Sequence, residues 1–152
     1  SEQGLLQDAR AARRWLAERS GIREEEVVLM GRSLGGGVAV QLAAEKPPRA
    51  LILERTFTSL PAVAGAAYPF LPAQWLMRNR FDSLTAIQRY RGPLLQSHGT
   101  ADRIIPFSQG QTLFNKAPAS PKQFLAMEGL GHNDAQPSGY YEQVREFLQA
   151  LP

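Results

Sequence analysis

Apolar residues along this chain fall into short continuous runs separated by stretches with helical spacing. The first stretch has apolar residues three and four positions apart and stops at Ser20-Gly21, which predicts an amphipathic helix with a glycine stop. Its apolar positions are Leu5, Leu6, Ala9, Ala12 and Leu16. The run from Val27 to Met30 is too short for a helix and apolar throughout, which predicts a strand buried on both faces. A second helix is expected to follow at once and to run through Val38, Ala39, Leu42 and Ala43 to Pro47-Pro48.

The same alternation continues to the carboxyl end of the chain. Strand-like runs occupy Ala50–Leu53, Pro93–Ser97 and Gln123–Met127, and helical patterns lie between and after them. The last helix has an apolar stripe, formed by Tyr140, Val144, Phe147, Leu148 and Leu151. Strands that alternate with helices predict an α/β fold, with a doubly wound, mostly parallel sheet, and we expect one domain over residues 1–152.

Residues 55–91 form an unusually long connection between the second and third predicted strands, where a crossover needs only ~10–12 residues. We interpret this segment as an insertion of short helices that forms a flap, and ordinary crossover packing is the alternative. Four of its aromatic residues are candidates for the wall of an acyl pocket. They are Phe57, Tyr68, Phe70 and Trp75.

Composition and charge narrow the function classes. The chain has 17 Lys and Arg against 14 Asp and Glu, a net charge of +3, and the basic residues are scattered, so no nucleic-acid surface is predicted. The absence of Cys excludes disulfides, thiolate metal sites and a Cys nucleophile, and two His are too few for a His-rich metal site. The sequence therefore implies no metal and no cofactor. No apolar stretch approaches the ~20 residues of a membrane span, and no targeting segment is visible.

The stretch Gly31-Arg32-Ser33-Leu34-Gly35 matches the pattern G-x-S-x-G. The pattern alone arises by chance in roughly one chain in ten of this length, so its position between a predicted strand and a helix of small residues carries the prediction. The two glycines suit a tight turn in which a Cβ at either neighbour of the serine would collide with the adjoining elements. Such a turn would expose the Ser33 hydroxyl as a nucleophile and aim the Leu34 N–H at a developing oxyanion.

A serine nucleophile needs a base to remove its proton, and the loops after the last two predicted strands supply candidates. Asp102 follows the third strand and His132 follows the fourth, so both are expected at the same carboxyl edge of the sheet as Ser33. We expect His132 to be the base and Asp102 to orient its imidazole.

Other polar residues near these loops offer alternatives. Glu54, at the end of the second strand, is the alternative acid. His98 precedes a tight glycine turn and is interpreted as structural. Asp134 and Asn133 are interpreted as turn residues.

Three stretches in this order resemble a known family. The stretches Gly31–Gly37, His98–Pro106 and Gly131–Asp134 resemble the serine hydrolases of the α/β-hydrolase fold. Within that fold the chain is most similar to the branch of α/β-hydrolase-domain esterases, thioesterases and prolyl-oligopeptidase-like proteins. The resemblance implies a serine hydrolase that cleaves an ester or thioester with an apolar acyl group.

The resemblance covers nearly the whole chain but only strands five to eight of the family's eight-stranded sheet, so the amino-terminal strands are expected to be missing. With them would go the loop that supplies the second oxyanion donor, a loss of ~10²–10³ in rate. The strand Val27 to Met30 would be an unpaired edge open to self-association. Two other functions stay open, a serine peptidase of the same fold and a non-catalytic binding module of that fold.

Overall fold

The computed structural model describes residues 1–68, 70 and 77–151 of the chain, and four strands alternate with helices within them. The strands are β1 (Val28–Arg32), β2 (Ala50–Glu54), β3 (Leu94–Gly99) and β4 (Lys122–Met127). The helices are α1 (Glu2–Ser20), α2 (Leu34–Glu45), α3 (Leu60–Ala67), α4 (Ser83–Ile87), α5 (Phe107–Lys116) and α6 (Tyr140–Gln149). A single 3₁₀ turn, Glu24–Glu26, leads into β1.

The strands form one parallel sheet in the order β1-β2-β3-β4. Each strand is joined to the next by a connection that contains helix, which is the arrangement that parallel pairing requires. The predicted α/β class with a parallel sheet is therefore confirmed. Because all four strands run the same way, the loops that follow β1, β2, β3 and β4 share one edge of the sheet.

Apolar side chains cover both faces of the central strands. On one face, Leu51 and Leu53 of β2 pack against α2, α4 and α5, and on the other, Ile52 and Leu95 pack against α6. Every residue of β2 and β3 is buried, which explains the apolar run of β2 and of the first two residues of β3, whereas Gln96, Ser97 and His98 are buried polar residues. The buried strands β2 and β3 thus form the centre of the sheet, and the site described below is built from the loops at its carboxyl edge.

The first strand is less buried than its apolar run predicts. Its run of apolar residues predicts burial on both faces, but Met30 is 49% exposed and Val28 and Leu29 are half-buried. The reason is position, because β1 is an edge of the described sheet and pairs only with β2. A continuous run of apolar residues can therefore belong to a central strand or to an edge strand, and the run alone does not distinguish the two.

The long connection 55–91 contributes to the core in its second half. Phe81, Ile87 and Tyr90 are at most 2% exposed, and α4 packs against α2. Earlier in the same segment α3 begins at an N-cap, Ser59, whose hydroxyl accepts a hydrogen bond from the Ala62 N–H. In the described part of the chain no helix combines the length and the apolar character needed to cross a membrane.

Candidate active site

Ser33 lies in the sharp turn between β1 and α2. Its backbone has φ 52° and ψ −121°, a conformation that costs a non-glycine residue about 1–3 kcal/mol and persists only when the surroundings impose it. Those surroundings are visible, since the Ser33 N–H donates to the Glu54 carbonyl at 2.9 Å and the Thr56 hydroxyl donates to the Ser33 carbonyl at 2.9 Å. The end of β2 therefore holds the turn on both sides of the serine.

The glycines around Ser33 have unequal roles. A Cβ at Gly31 would overlap the backbone of Gly35, and a Cβ at Gly36 would overlap the Thr56 side chain. A Cβ at Gly35, in contrast, would meet nothing within 4 Å. The expectation that both neighbours of the serine exclude a Cβ is therefore wrong for Gly35, because that position faces the open groove beside β1.

The loops after β3 and β4 bring Asp102 and His132 to Ser33. His132 Nε2 lies 3.1 Å from the Ser33 Oγ, and His132 Nδ1 lies 2.7 Å from Asp102 Oδ2. The Asp102 side chain is fully buried and the His132 side chain is 9% exposed. Residues 99 positions apart in sequence thus form one continuous chain of hydrogen bonds.

The Asp102 carboxylate is oriented by its own loop. Oδ1 accepts the backbone N–H groups of Ile104 and Ile105 at 2.9 and 2.8 Å. His98 Nε2 lies 2.9 Å from the Ile105 carbonyl and 3.4 Å from Asp102 Oδ2, so this fully buried ring braces the same loop. Burial lowers the pKa of His98, against the opposing effects of the Ile105 carbonyl and the Asp102 carboxylate, which favours the neutral ring.

The side chains of the alternative residues Glu54, Asp134 and Asn133 have other surroundings. Glu54 is 4% exposed and sits beside Ser97 in the sheet register, on the face covered by Tyr140. Burial raises the pKa of Tyr140, and the Glu54 carboxylate adds to that rise. Asp134 Oδ2 accepts the Gly131 N–H at 2.7 Å, which is a turn contact, and Asn133 is exposed. The carboxylate at His132 Nδ1 is that of Asp102.

Leu34 lies at the N-terminus of α2. Leu34 is the first residue of α2, so its N–H has no acceptor within the helix, and the helix dipole places partial positive charge there. Its peptide group follows Ser33 directly. Within the described residues, no group of three or more His, Cys, Asp or Glu side chains is arranged to hold a metal ion.

The three candidate pocket residues that the structure describes differ widely in exposure. Phe57 is 1% exposed and packs with Leu6, Leu42 and Phe81, and its ring lies under Gly37, so its assignment to a pocket wall is corrected to the core. Tyr68 and Phe70 are 62% and 98% exposed. Trp75 lies outside the described residues.

Two arginines at the site escape prediction from sequence. Arg55 donates to the His132 carbonyl at 2.8 Å, and Arg32 donates to the same oxygen at 2.7 Å. The only signal for Arg55 is a charged pair, Glu54-Arg55, that follows a wholly apolar strand at the edge where the site lies. Arg32 occupies a variable position of the G-x-S-x-G pattern, so the pattern gives no sign of its contact.

Comparison with known proteins identifies the family. A family profile described as alpha/beta hydrolase domain matches residues 2–133. This chain belongs to the α/β-hydrolase family. Its parallel sheet and the order of Ser33, Asp102 and His132 along the chain agree with that membership.

Relatives of this α/β hydrolase extend beyond the matched region. It is 40% identical over 136 residues to the uncharacterized protein Rv2307c of Mycobacterium tuberculosis, covering 90% of this chain and 48% of that protein. This chain is also 36% identical over 151 residues to human alpha/beta hydrolase domain-containing protein 17B. The match covers 97% of this chain and 50% of the human protein. The chain therefore spans about half the length of these relatives.

Solved structures share the fold. The esterase domain of a Rhodothermus marinus protein superposes with a TM-score of 0.62 at 26% identity, over 84% of this chain and 58% of that one. The likeness thus includes most of the sheet and helices described above.

Proposed function

We propose that this α/β hydrolase is a serine hydrolase that cleaves an ester or thioester through an acyl-enzyme. The observation that carries the proposal is the chain of hydrogen bonds from Ser33 Oγ through the His132 imidazole to Asp102, at 3.1 and 2.7 Å. Both distances suit proton transfer from the hydroxyl to a ring that an acid holds in place.

In the first half of the reaction, the Ser33 Oγ attacks the carbonyl carbon of the substrate. His132 Nε2 takes the hydroxyl proton, and Asp102 stabilises the resulting imidazolium through Nδ1–H. The Leu34 N–H and the N-terminus of α2 stabilise the negative oxygen of the tetrahedral intermediate. The intermediate collapses, His132 returns the proton to the departing alcohol or thiol, and the acyl group remains on Ser33.

In the second half, water repeats these steps. His132 accepts a proton from water as its oxygen attacks the acyl carbon, and the same proton goes back to Ser33 Oγ when the acid product leaves. No metal or cofactor takes part in this mechanism.

An apolar acyl group is part of the proposal. The name of the structural neighbour, an esterase domain, supports an ester substrate. Of the described aromatic residues in segment 55–91, Tyr68 and Phe70 expose large apolar surfaces that an acyl chain would cover, whereas Phe57 is excluded by its burial.

Labelling with a fluorophosphonate tests the nucleophile, because the probe requires an activated serine but little substrate fit. Intact-mass analysis is expected to find one adduct on the wild-type chain, none on Ser33→Ala, and one on the control Ser108→Ala, which removes an exposed hydroxyl from α5. A folded wild-type chain that takes up no label would contradict the proposal.

A matched set of nitrophenyl esters, thioesters and peptidyl nitroanilides tests the substrate class. Faster turnover of esters or thioesters with longer acyl chains is expected. Faster turnover of the peptidyl amides would favour a peptidase instead, and ester hydrolysis that is unchanged in Ser33→Ala would favour a non-catalytic module.

A further inference from the structure

Arg55 is a buried cation directly after β2. Its side chain is among the largest that are fully buried, with 0% exposure, and its backbone has φ 46°, in the left-handed region that non-glycine residues rarely adopt. The Arg55 N–H donates to the Ser97 carbonyl at 2.9 Å, which ties this strained residue to the end of β3. Both the conformation and the burial are therefore imposed by the surrounding sheet.

The described hydrogen bonds of the guanidinium all reach one loop. Nη1 donates to the carbonyls of His132 and Asp134 at 2.8 and 2.5 Å, and Nη2 donates to Gln136 Oε1 at 3.4 Å. Residues 128–139 connect β4 to α6 without helix or strand. Its backbone hydrogen bonds are single turn or loop contacts, such as the Leu130 N–H to the Met127 carbonyl, and Arg55 adds three hydrogen bonds from two nitrogen atoms.

The energetics argue for a positional role. Burying a guanidinium removes it from water at a large cost in free energy, and an apolar side chain of similar volume often gives the same or greater stability. The partners of Arg55 given above are all uncharged oxygens, so no ion pair offsets that cost through them. Unlike an apolar residue, the guanidinium donates a hydrogen bond of defined direction to the backbone carbonyl of His132.

We propose that Arg55 is a positioning residue that fixes the backbone of His132 so that its imidazole stays within reach of Ser33. The inference rests on the proposed function, in which His132 is the base. Arg55 acts through the His132 carbonyl and does not touch the reacting atoms. Arg32 donates a hydrogen bond to the same carbonyl, but its side chain is exposed, so competition from water weakens that hydrogen bond.

Arg13 offers a matched control at the other end of the sheet. Its side chain is 3% exposed, and its guanidinium donates to the carbonyls of Glu24, Lys46 and Pro47. These carbonyls precede β1 and β2, whereas the active site follows the strands. Arg13→Met thus removes a buried guanidinium and its carbonyl contacts without altering the His132 loop.

The test compares Arg55→Met, Arg55→Lys and Arg13→Met with the wild-type chain. We expect Arg55→Met to lower the fluorophosphonate labelling rate and the kcat for nitrophenyl esters by roughly 10–100-fold per folded molecule, because small displacements of a catalytic group have effects of this size. KM should stay within about twofold, since Arg55 does not contact substrate. Arg55→Lys should recover part of the rate, because it keeps the cation but not the forked donors. Arg13→Met should lose thermal stability and keep the wild-type rate per folded molecule.

Nuclear magnetic resonance of the histidine rings separates this inference from the proposed function. The chain has two histidines, His98 and His132, and a His98→Gln variant assigns their carbon-bound ring signals. We expect Arg55→Met to shift or broaden the His132 signals and Arg13→Met to leave them in place. If Arg55→Met does not fold, the same comparison is made with Arg55→Lys.

Two results overturn the inference. One is a folded Arg55 variant that labels at the wild-type rate, and the other is one whose His132 ring signals match those of the wild type. If the wild-type chain takes up no label and hydrolyses no ester, the proposed function fails, and the His132 signals still decide whether Arg55 holds the loop.

Discussion

Asp102 binds His132 through one carboxylate oxygen and its own loop through the other. Oδ2 lies 2.7 Å from His132 Nδ1, while Oδ1 accepts the N–H groups of Ile104 and Ile105. A carboxylate held in this way accepts a hydrogen bond from the Nδ1–H group, which leaves Nε2 as the acceptor that faces Ser33. The orientation of the His132 ring therefore depends on the loop after β3 that holds Asp102.

Asp102→Asn tests this dependence with little change in shape. The amide oxygen can keep the two backbone N–H groups, which turns the NH₂ group toward His132 Nδ1 and favours the tautomer whose Nε2 carries the proton. We expect kcat to fall by about 10⁴-fold with thermal stability largely retained. Ester kinetics and thermal unfolding of the same preparation check both parts, and a loss of less than tenfold would contradict the assignment of Asp102.

His98 predicts how folding stability depends on pH. Burial lowers its pKa in the folded chain, whereas the unfolded chain titrates near 6.5. As pH falls through 6.5, the unfolded state binds a proton that the folded state resists, so stability falls toward the lower folded pKa and is fully present above 6.5.

The measurement is urea unfolding between pH 5 and 8 for the wild type and His98→Gln. Gln can keep a donor for the Ile105 carbonyl but does not titrate, so the variant should lose less stability than the wild type on acidification. Equal slopes for the two proteins below pH 6.5 would count against this account of His98.

Gly35 and Gly36 of α2 should respond oppositely to substitution by alanine, as measured by the free energy of unfolding. Gly36→Ala places a Cβ against the Thr56 side chain and should destabilise by about 1–3 kcal/mol. It should also slow labelling of Ser33, because the Thr56 hydroxyl donates to the Ser33 carbonyl. Gly35→Ala meets open space and should be neutral or stabilise by up to about 1 kcal/mol. Chemical denaturation of both variants checks the pair, and equal destabilisation would refute the steric distinction.

The free edge of β1 predicts self-association. Met30 is 49% exposed on this edge strand, and an apolar groove along β1 includes Leu16, Val28 and Val38. Met30→Lys should reduce association measured by sedimentation velocity, because a lysine on an edge strand opposes strand pairing. Ile104→Lys, which changes an equally exposed residue on the loop after β3, is the control and should leave association unchanged.

Local pattern predicted the elements of this fold well. The apolar runs at 50–53 and 93–97 became β2 and β3 with shifts of one or two residues, because short apolar runs between helical periods have few other ways to be buried. The same reasoning wrongly predicted that Met30 is buried, because the sequence of a strand does not show which strands lie beside it in the sheet. Phe57 was predicted to line a pocket but is buried in the core, because only the packing shows that its ring fits against Gly37.

The sequence by itself determined the α/β class, the turn at Ser33 and the placement of Asp102 and His132 after successive strands, because parallel strands bring such loops to one edge. The tertiary structure alone decided which carboxylate reaches His132, which glycine excludes a side chain, and that Arg55 lies beneath the His132 loop. The contacts of His132 join residues far apart in sequence: Asp102 is 30 positions away, Arg55 is 77 and Ser33 is 99. Local periodicity reports which face of an element is buried, whereas such distant partners are chosen by packing in three dimensions.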